Sequence, residues 1–404
     1  MTGPVVLFTM GERGHFARLL PVIDGLARAG AAPYVFTGRP CQTEIERAGG
    51  RFVDLFAGHT LDEADATSLP LASRSVTFAG RFGAEIADQA RALGPSLVLH
   101  DTFAVIGTVV ARCLGLPRVN VCAGHNVAPQ PTIAALEHDP RVRVSDACFA
   151  AVRRLRDEHG LADASPFSYV SGVSPDLNLY CEPPQFLRPD ERRPFEPLAF
   201  IGSLWPDGVA REPRAATRFS GRPGVSTRIY ASFGTIIWRY YTDAAIDALI
   251  ALKTAIAHRP DVEAVVSLGG AGPSDAAAWL STPNVRVESY VDQWQVLSEA
   301  TVYVTHHGLN STHEAIYHRV PMVAYPFFFD QPALAARCIE LGLSVPLADS
   351  PRGRVTPDAV LAALDRVAAT RASMDAALDA ARGWEEETIR GRPTVIRRVL
   401  ALAK

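Results

Sequence analysis

Residues 304–331, VTHHGLNSTHEAIYHRVPMVAYPFFFDQ, form the most informative stretch of the chain. An apolar strand is predicted to end at Thr305, and a turn that contains two histidines and Gly308 follows it. Asn310 and Ser311 are residue types that favour helix starts, so we expect them to cap the next helix. A helix that starts at a strand end presents free backbone N–H groups and a positive dipole end, so this stretch predicts a phosphate or diphosphate site.

Two side chains of this stretch are expected to bind such a ligand. His306 is expected to donate to the phosphate, and Glu314, one turn into the helix, is expected to accept from sugar hydroxyls nearby. Two simpler interpretations stay open. Glu314 also fits a solvent-facing position, and Asp330 also fits a cap on the helix that begins at Pro332.

Strands and helices alternate on both sides of this stretch. Residues 5–9 and 33–37 fit strands buried on both faces, and a helical apolar pattern at residues 16–29 lies between them and ends at Gly30. Similar βα series occur in both halves of the chain, separated by Pro- and Arg-rich residues 182–224. We therefore predict an α/β fold with two Rossmann-like domains that face each other across a cleft, and ligands at the carboxyl ends of the strands.

The remaining elements are predicted from the same periodicities. The other predicted strands are residues 96–100, 118–122, 228–232, 264–268, 285–290, 302–305 and 322–325. The other predicted helices are residues 84–93, 108–114, 244–257, 311–317, 332–341, 356–371, 372–383 and 393–403, with residues 124–185 mostly helical.

Composition and charge limit the class of protein. The chain has 404 residues, 48% of them hydrophobic and 21% charged, which at about 150 residues per domain suggests two domains. A net charge of −3 argues against a nucleic-acid partner. No apolar run reaches about 18 residues and no signal-peptide pattern opens the chain, so we expect no membrane span. Six scattered cysteines without a CxxC pair are expected to be reduced thiols, which indicates the cytoplasm.

The 304–331 stretch resembles the donor-binding signature of family 1 inverting glycosyltransferases of the GT-B fold. That signature reads T-H-G-G-x-N-S-T-x-E-A, then a step with Pro, then a strand that ends P-x-x-x-D-Q. The resemblance implies that His306 and the amides from Gly308 to Ser311 hold a diphosphate. It also implies that Glu314 binds the nucleotide ribose and that Asp330 and Gln331 hold sugar hydroxyls. The matching residues are Thr305, His306, Gly308, Asn310, Ser311, Thr312, Glu314, Ala315, Pro321, Pro326, Asp330 and Gln331.

Four more segments resemble the same family. Residues 290–293 (YVDQ) are similar to its W-x-P-Q step, which implies that Tyr290 stacks on a pyrimidine and that Gln293 binds the donor. Residues 230–235 (YASFGT) resemble a strand end that places Ser232 and Thr235 near the diphosphate. Residues 11–15 (GERGH) resemble its G-x-x-G-H step, and residues 97–101 (LVLHD) resemble a later strand that ends in Asp.

The chemistry that this resemblance implies needs a base. A hydroxyl has a pKa far above 7, and His is the side chain suited to take its proton as it attacks an anomeric carbon. His15, at the first strand–helix turn, is the expected base, and Asp101, at another strand end, is expected to accept from the far imidazole nitrogen. His15 alone also fits a turn histidine, and Asp101 also fits a helix N-cap. Fixed amides and His306 are expected to stabilise the leaving diphosphate, with no metal ion and no cofactor.

Three features depart from the signature or compete with it. His307 replaces the first Gly of the HGG step, so its Cβ is expected to narrow the approach of a phosphate or to redirect the loop. Asp292 replaces a Pro. His313 and His318 are five residues apart, about 140° around a helix, so they do not match the H-E-x-x-H zinc pattern.

These observations predict an inverting transferase with UDP- or dTDP-sugar donors and a small, mostly apolar acceptor that carries a hydroxyl. Residues 1–200 are assigned to the acceptor, with loops 55–85 and 124–170 around it, and residues 225–385 to the donor. Residues 386–404 are expected to form a helix that returns to the N-terminal domain. A homodimer is compatible with the sequence. The alternatives are a GT-B epimerase acting on a UDP-sugar and a non-catalytic sugar-nucleotide-binding partner of a transferase.

Overall fold

Buried apolar strands build two parallel sheets, one in each of two units of the chain. The first unit comprises Met1–Ala210 and Glu387–Lys404, and the second comprises Arg211–Glu386. The computed structural model describes residues 3–61, 73–139, 142–170, 172–205 and 219–403. Parts of the predicted acceptor loops and of the predicted linker lie outside the described residues, namely 62–72, 140–141 and 206–218.

A seven-stranded sheet organises the first unit. Its strands are β1 Val5–Phe8, β2 Pro33–Thr37, β3 Arg51–Asp54, β4 Leu97–Asp101, β5 Arg118–Cys122, β6 Leu177–Tyr180 and β7 Leu198–Phe200. They lie in the order β3-β2-β1-β4-β5-β6-β7, and every pair is parallel. Every residue of β1 and β4 is buried, as a sheet covered on both faces requires.

Helices connect these strands. They are α1 Arg13–Arg28, α2 Gln42–Arg47, α3 Ser73–Arg91, α4 Val105–Leu114, α5 Pro129–His138, α6 Asp146–Asp157 and α7 Pro189–Arg192. Helix α3 packs against both α4 and α6.

A six-stranded sheet organises the second unit. Its strands are β8 Thr227–Ser232, β9 Val262–Ser267, β10 Val285–Glu288, β11 Val302–Thr305, β12 Met322–Ala324 and β13 Ser344–Pro346. They lie in the order β10-β9-β8-β11-β12-β13, again all in parallel. The helices of this unit are α8 Ile237–Tyr240, α9 Thr242–Ile256, α10 Ala276–Leu280, α11 Gln293–Leu297, α12 Leu309–Tyr317, α13 Gln331–Glu340 and α14 Pro357–Ala369.

Strand pairing decides which candidate residues can meet within each unit. In the first sheet β1 lies beside β4, with Phe8 opposite His100, so the turn after β1 and the end of β4 are at one edge. In the second sheet β8 lies beside β11, with Ser232 opposite Thr305. The carboxyl ends of parallel strands share an edge, so each sheet gathers polar strand-end residues on one side.

The two parallel sheets with their helices confirm the predicted α/β class. The predicted strands at residues 33–37, 118–122 and 302–305 have the observed bounds. The short strands β3, β6, β7 and β13 were not predicted.

Residues 184–200, expected to be part of a linker, instead contain α7 and β7. Phe186, Leu187 and Phe195 are buried there, so apolar anchors bind this Pro-rich stretch to the first unit.

The C-terminal helix differs from the prediction. Separate helices were expected at residues 372–383 and 393–403, but α15 runs without a break over Arg371–Leu400 and contains Pro393. An interior Pro costs about 3 kcal/mol because it removes a backbone hydrogen bond. Buried side chains on both sides of it, such as Leu378 and Ile396, outweigh that cost. From Glu387 onward the helix belongs to the first unit, where Arg392 donates to the carbonyl oxygen of Ile201 at 2.8 Å.

Of the helices in the described part of the chain, none combines the length and the apolar composition that crossing a bilayer needs.

Replacing Ile396 tests how the end of α15 stabilises the first unit. Ile396 is 2% exposed, and a Cβ placed on Gly25 of α1 would lie 2.7 Å from its Cγ1. Ile396→Ala is expected to lower the free energy of unfolding by roughly 2–5 kcal/mol, measured by urea denaturation, because it leaves a cavity against α1. Arg397→Ala, at an exposed position one residue on, should change it by less than about 0.5 kcal/mol. Equal effects of the two variants would show that this contact is not tightly packed.

Candidate active site

The turn from β11 into α12 contains the histidines of the predicted phosphate site. Strand β11 ends at Thr305, Gly308 occupies the N-cap position and α12 begins at Leu309. The prediction that Asn310 and Ser311 cap the helix is therefore wrong, because they are its second and third residues. A glycine cap has no side chain to cover the first N–H groups, so the start of α12 keeps the features of an anion site.

His306 is held between two glycines of this site. His306 is 8% exposed. A Cβ on Gly234, in the loop after β8, would lie 2.8 Å from its Nε2, and a Cβ on Gly308 would lie closer still. Only glycine leaves room for the ring at both positions. The imidazole therefore lies against the β8 loop and the start of α12 together.

His307 has the unusual backbone of this turn. Its φ is 58°, in the left-handed region that favours glycine, and its side chain is fully buried. Its Nδ1 lies 3.2 Å from the Thr312 hydroxyl and its Nε2 lies 3.1 Å from the Ser344 hydroxyl. Ser344 itself donates to the Met322 carbonyl, so it accepts from Nε2–H, and Nδ1 accepts from Thr312. The ring therefore points into the unit, between α12 and β13, as a neutral tautomer.

Burial is the main reason that His307 stays neutral. Burial, and then the neighbouring His306 and His313, lower the pKa of His307 to about 3.

His313, considered above with His318 for a zinc site, is also fully buried and bonds through Nδ1 to the Glu385 carboxylate. Within the described ranges, no group of three or more His, Cys, Asp or Glu side chains is arranged to bind a metal ion.

Hydrogen bonds join three of the predicted donor-binding residues. The Nε2 of Gln293 donates to Oε2 of Glu314 at 2.9 Å. The Oε1 of Gln293 accepts from the Ser311 hydroxyl at 3.3 Å and from the hydroxyl of Tyr303 at 2.8 Å. Asp292, which stands where the family has Pro, caps α11 by accepting from the Gln295 amide. This network fixes the Glu314 carboxylate to the start of α11.

The remaining predicted donor-binding residues are near strand ends of the same sheet. Ser232 ends β8 and is buried, and Thr235, three residues on, is exposed. Tyr290, after β10, is 52% exposed. Asp330 is in the N-cap position of α13, but its side chain makes no capping hydrogen bond. Gln331 is buried, and its Oε1 accepts from the Phe327 amide at 2.9 Å.

His15 and Asp101 come together in the first unit. His15 is the third residue of α1, and Asp101 ends β4. The Nδ1 of His15 lies 3.6 Å from Oδ1 of Asp101, with the His15 side chain 17% exposed and the Asp101 side chain buried. The N-cap of α4 is Ala104, so the interpretation of Asp101 as that cap is wrong. The geometry fits a carboxylate that orients an accessible imidazole.

Phe103 contacts both members of this pair. Its backbone N–H donates to Oδ1 of Asp101 at 2.7 Å, and its ring stacks on the His15 ring with centroids 3.9 Å apart. Burial raises the pKa of Asp101, but His15, Thr9 and the Phe103 amide outweigh that effect and leave the pKa below its usual value. The Asp101 carboxylate is therefore ionised at neutral pH.

A further His–carboxylate pair, in the first unit, was missed by sequence reasoning. The Nδ1 of His125 lies 2.7 Å from Oε2 of Glu182. These residues come shortly after β5 and β6, which are neighbours in the first sheet. A polar residue just after each of two buried strands was the sequence signal that could have found them. The side chains are only 2% and 0% exposed, so we assign them no contact with a substrate. Tyr303 and Phe103 were also missed, because an aromatic residue in or beside a buried strand resembles any core residue.

Comparison with known proteins shows which family this chain resembles over part of its length. The sequence profile of the UDP-glucoronosyl and UDP-glucosyl transferases matches residues 190–373. Zeaxanthin glucosyltransferase from Pantoea ananas is 26% identical over 274 residues, which cover 61% of this chain and 59% of that protein. The matched segment thus spans less than two thirds of that relative.

Solved structures show the same fold over the whole chain. The glycotransferase of kitacinnamycin has a TM-score of 0.73 at 23% identity, covering 98% of this chain and 100% of that chain. The glycosyltransferase VinC, solved in complex with dTDP, has a TM-score of 0.67 at 19% identity, covering 98% of this chain and 99% of that chain. The fold is GT-B, and over residues 190–373 the chain is similar to the UDP-glucoronosyl and UDP-glucosyl transferases. The resemblance seen in the sequence is confirmed.

Replacing His307 with glycine tests the neutral, buried state of this ring. Since the pKa of His307 is about 3 when folded and about 6.5 when unfolded, only the unfolded chain gains a proton as the pH falls between these values. The free energy of unfolding of the natural protein should therefore fall by up to about 1.4 kcal/mol per pH unit on account of this residue. In His307→Gly, urea denaturation at pH 7, 6 and 5 should show a shallower fall.

His258→Gln is the matched control for this titration. His258 is exposed, so its replacement should leave the pH dependence unchanged. If the His307→Gly profile runs parallel to that of the natural protein, the ring is not held neutral as described.

Proposed function

We propose that the protein is an inverting glycosyltransferase that moves a sugar or deoxysugar from a UDP- or dTDP-sugar to a hydroxyl of a small natural product. One observation carries the proposal: His306 lies between two glycines at the start of α12, and Glu314 is one turn further along the same helix. The names of the relatives support it, since they include a zeaxanthin glucosyltransferase and a transferase bound to dTDP.

The second unit is assigned the donor diphosphate. Backbone N–H groups at the start of α12 and the positive end of its dipole attract the phosphates, and His306 adds a side-chain donor. Ser232 and Thr235, at and after the end of the neighbouring β8, are assigned to the same diphosphate. As the bond to the sugar breaks, negative charge grows on the diphosphate, and these fixed donors stabilise it without reorganisation.

The nucleoside and the sugar are assigned to the surrounding residues. Tyr290 is 52% exposed and offers a ring face on which a pyrimidine can stack. Glu314, held by Gln293, accepts from the ribose hydroxyls. Asp330 and Gln331, at the start of α13, are assigned to sugar hydroxyls. A dTDP donor lacks the 2′-hydroxyl, so Glu314 would then bind only the 3′-hydroxyl.

His15 is assigned the role of general base. As the acceptor hydroxyl attacks the anomeric carbon, its proton passes to Nε2 of His15, and the C–O bond to the diphosphate breaks. Asp101 faces Nδ1 at 3.6 Å, so it orients the ring and stabilises the imidazolium. A single displacement of this kind inverts the anomeric configuration.

The acceptor is assigned to the first unit, beside His15. Phe103 stacks on His15 and contacts Tyr169 edge to face at 5.6 Å, and Phe167 lies 6.5 Å from Tyr169 between ring centroids. Tyr169 and Phe167 are buried and pack behind Phe103, which is partly exposed beside His15, so the Phe103 ring is the surface that favours an apolar acceptor. The cytoplasmic location and the homodimer stay predictions.

Removal of the imidazole tests the assignment of the base. His15→Ala is expected to lower kcat for sugar transfer by at least about 100-fold, because the acceptor hydroxyl loses its proton acceptor. The affinity for UDP or dTDP, measured by calorimetry, should persist, since the nucleotide is assigned to the other unit. Asp101→Asn, which keeps the shape of the side chain, should also lower kcat.

The control variant is His258→Ala, which replaces an exposed histidine and should leave turnover unchanged. Undiminished transfer by His15→Ala would refute this mechanism. The same assay separates the alternatives, because an epimerase converts the donor sugar without any acceptor, and a non-catalytic partner binds the nucleotide but transfers no sugar.

A further inference from the structure

Tyr303 places a buried hydroxyl beside the predicted ribose site. It is the second residue of β11, is fully buried, and lies opposite Tyr230 of β8 in the strand register. The two rings stack with centroids 4.8 Å apart and planes 18° apart. The hydroxyl of Tyr303 contacts Oε1 of Gln293 at 2.8 Å. Burial raises the pKa of Tyr303 to about 12, so the phenol keeps its proton and can donate it.

The direction of each hydrogen bond follows from the carboxylate. Glu314 as a carboxylate can only accept, so the Gln293 atom at 2.9 Å from its Oε2 must be the amide nitrogen. The other end of the amide is then the oxygen, and Tyr303 donates to it. Ser311 donates to the same oxygen, but at the longer distance of 3.3 Å. The phenol is therefore the closer of the two donors that set this amide.

The phenol prevents the amide from turning over. A reversed Gln293 would point its oxygen at the Glu314 carboxylate, where two acceptors repel, and its N–H groups at the Tyr303 hydroxyl. Without the phenol, only the longer bond from Ser311 opposes that reversal. The orientation of the Glu314 carboxylate thus depends on a hydroxyl that is itself buried beneath the site.

We propose that Tyr303 is a positioning residue for recognition of the nucleotide ribose, acting through Gln293 on Glu314. This inference rests on the proposed function, which assigns the ribose to Glu314. It makes a specific claim about ligand chemistry: the hydroxyl supports binding of the sugar of the nucleotide and not binding of the diphosphate. The diphosphate is assigned to backbone N–H groups, His306, Ser232 and Thr235. The hydrogen bonds of Gln293 described above go instead to the side chains of Glu314, Tyr303 and Ser311.

Tyr303→Phe is the test variant, because it keeps the ring stacked on Tyr230 and removes only the hydroxyl. Binding of UDP, dTDP and inorganic pyrophosphate to the full chain would be measured by calorimetry. Affinity for the nucleoside diphosphate that the natural protein binds should fall about fivefold, the usual effect of one hydrogen bond. Affinity for pyrophosphate should stay the same. In transfer assays the KM for the donor should rise by the same factor while kcat changes less than twofold.

Two further variants make the result specific. Tyr325→Phe removes another buried tyrosine hydroxyl of the second unit, one that donates to the Gly353 carbonyl at 3.0 Å, and should leave all three affinities unchanged. Gln293→Leu removes the link itself and should weaken nucleotide binding at least as much as Tyr303→Phe, again without effect on pyrophosphate. The double variant Tyr303→Phe/Gln293→Leu should then bind the nucleotide no more weakly than Gln293→Leu alone.

Each outcome decides the question. Unchanged nucleotide affinity in Tyr303→Phe would overturn this inference and leave the proposed function standing. Equal weakening of nucleotide and pyrophosphate would overturn it as well, because the hydroxyl would then support the whole loop. A natural protein that binds neither UDP nor dTDP would contradict the proposed function, and the inference with it.

Discussion

The left-handed turn at His307 is the constraint on which the proposed donor site depends. A residue with a Cβ loses about 1 kcal/mol or more in this conformation. The buried ring offsets the loss by accepting a hydrogen bond from Thr312 and donating one to Ser344. Because the chain turns at this one residue, α12 begins at once and Gly308 serves as its N-cap. The same turn packs the His306 ring between Gly234 and Gly308, at the start of α12, where the phosphate is proposed to bind. The family signature has glycine at this position, and this chain meets the same backbone requirement with an anchored histidine.

Both units use the edge where parallel strands end, but for different chemistry. In the first unit this edge brings together an imidazole and a carboxylate, His15 and Asp101, with Phe103 bound to both. In the second unit it presents a helix start, and a polar network holds Glu314 beside it. The proposed proton transfer and the proposed anion binding thus each depend on contacts inside one unit, which is why separate substitutions can test them.

Much of the fold and part of the site could be predicted from local patterns. The apolar run that ends at Thr305 marked a strand correctly, since burial on both faces leaves an unbroken apolar sequence. The start of α12 was misplaced by two residues because a left-handed histidine has no sequence pattern of its own. The predicted break in the helix before Pro393 was wrong, because long-range packing of α15 outweighed the tendency of proline to interrupt a helix. The hydroxyl of Tyr303 was missed since its proposed role depends on a contact with Gln293 of α11, and a buried tyrosine in a strand gives no sign of that contact.

The most direct test of the account is to locate bound diphosphate by the chemical shifts of backbone amides. Titration of the labelled protein with UDP, dTDP and inorganic pyrophosphate should shift the amide signals of Gly308 to Ser311 most strongly, with the loop after β8 next. All three ligands share the diphosphate, so the same amides should respond to each one that binds. If ligand binds and those signals stay unmoved while others shift, the anion site is elsewhere and the central claim is wrong.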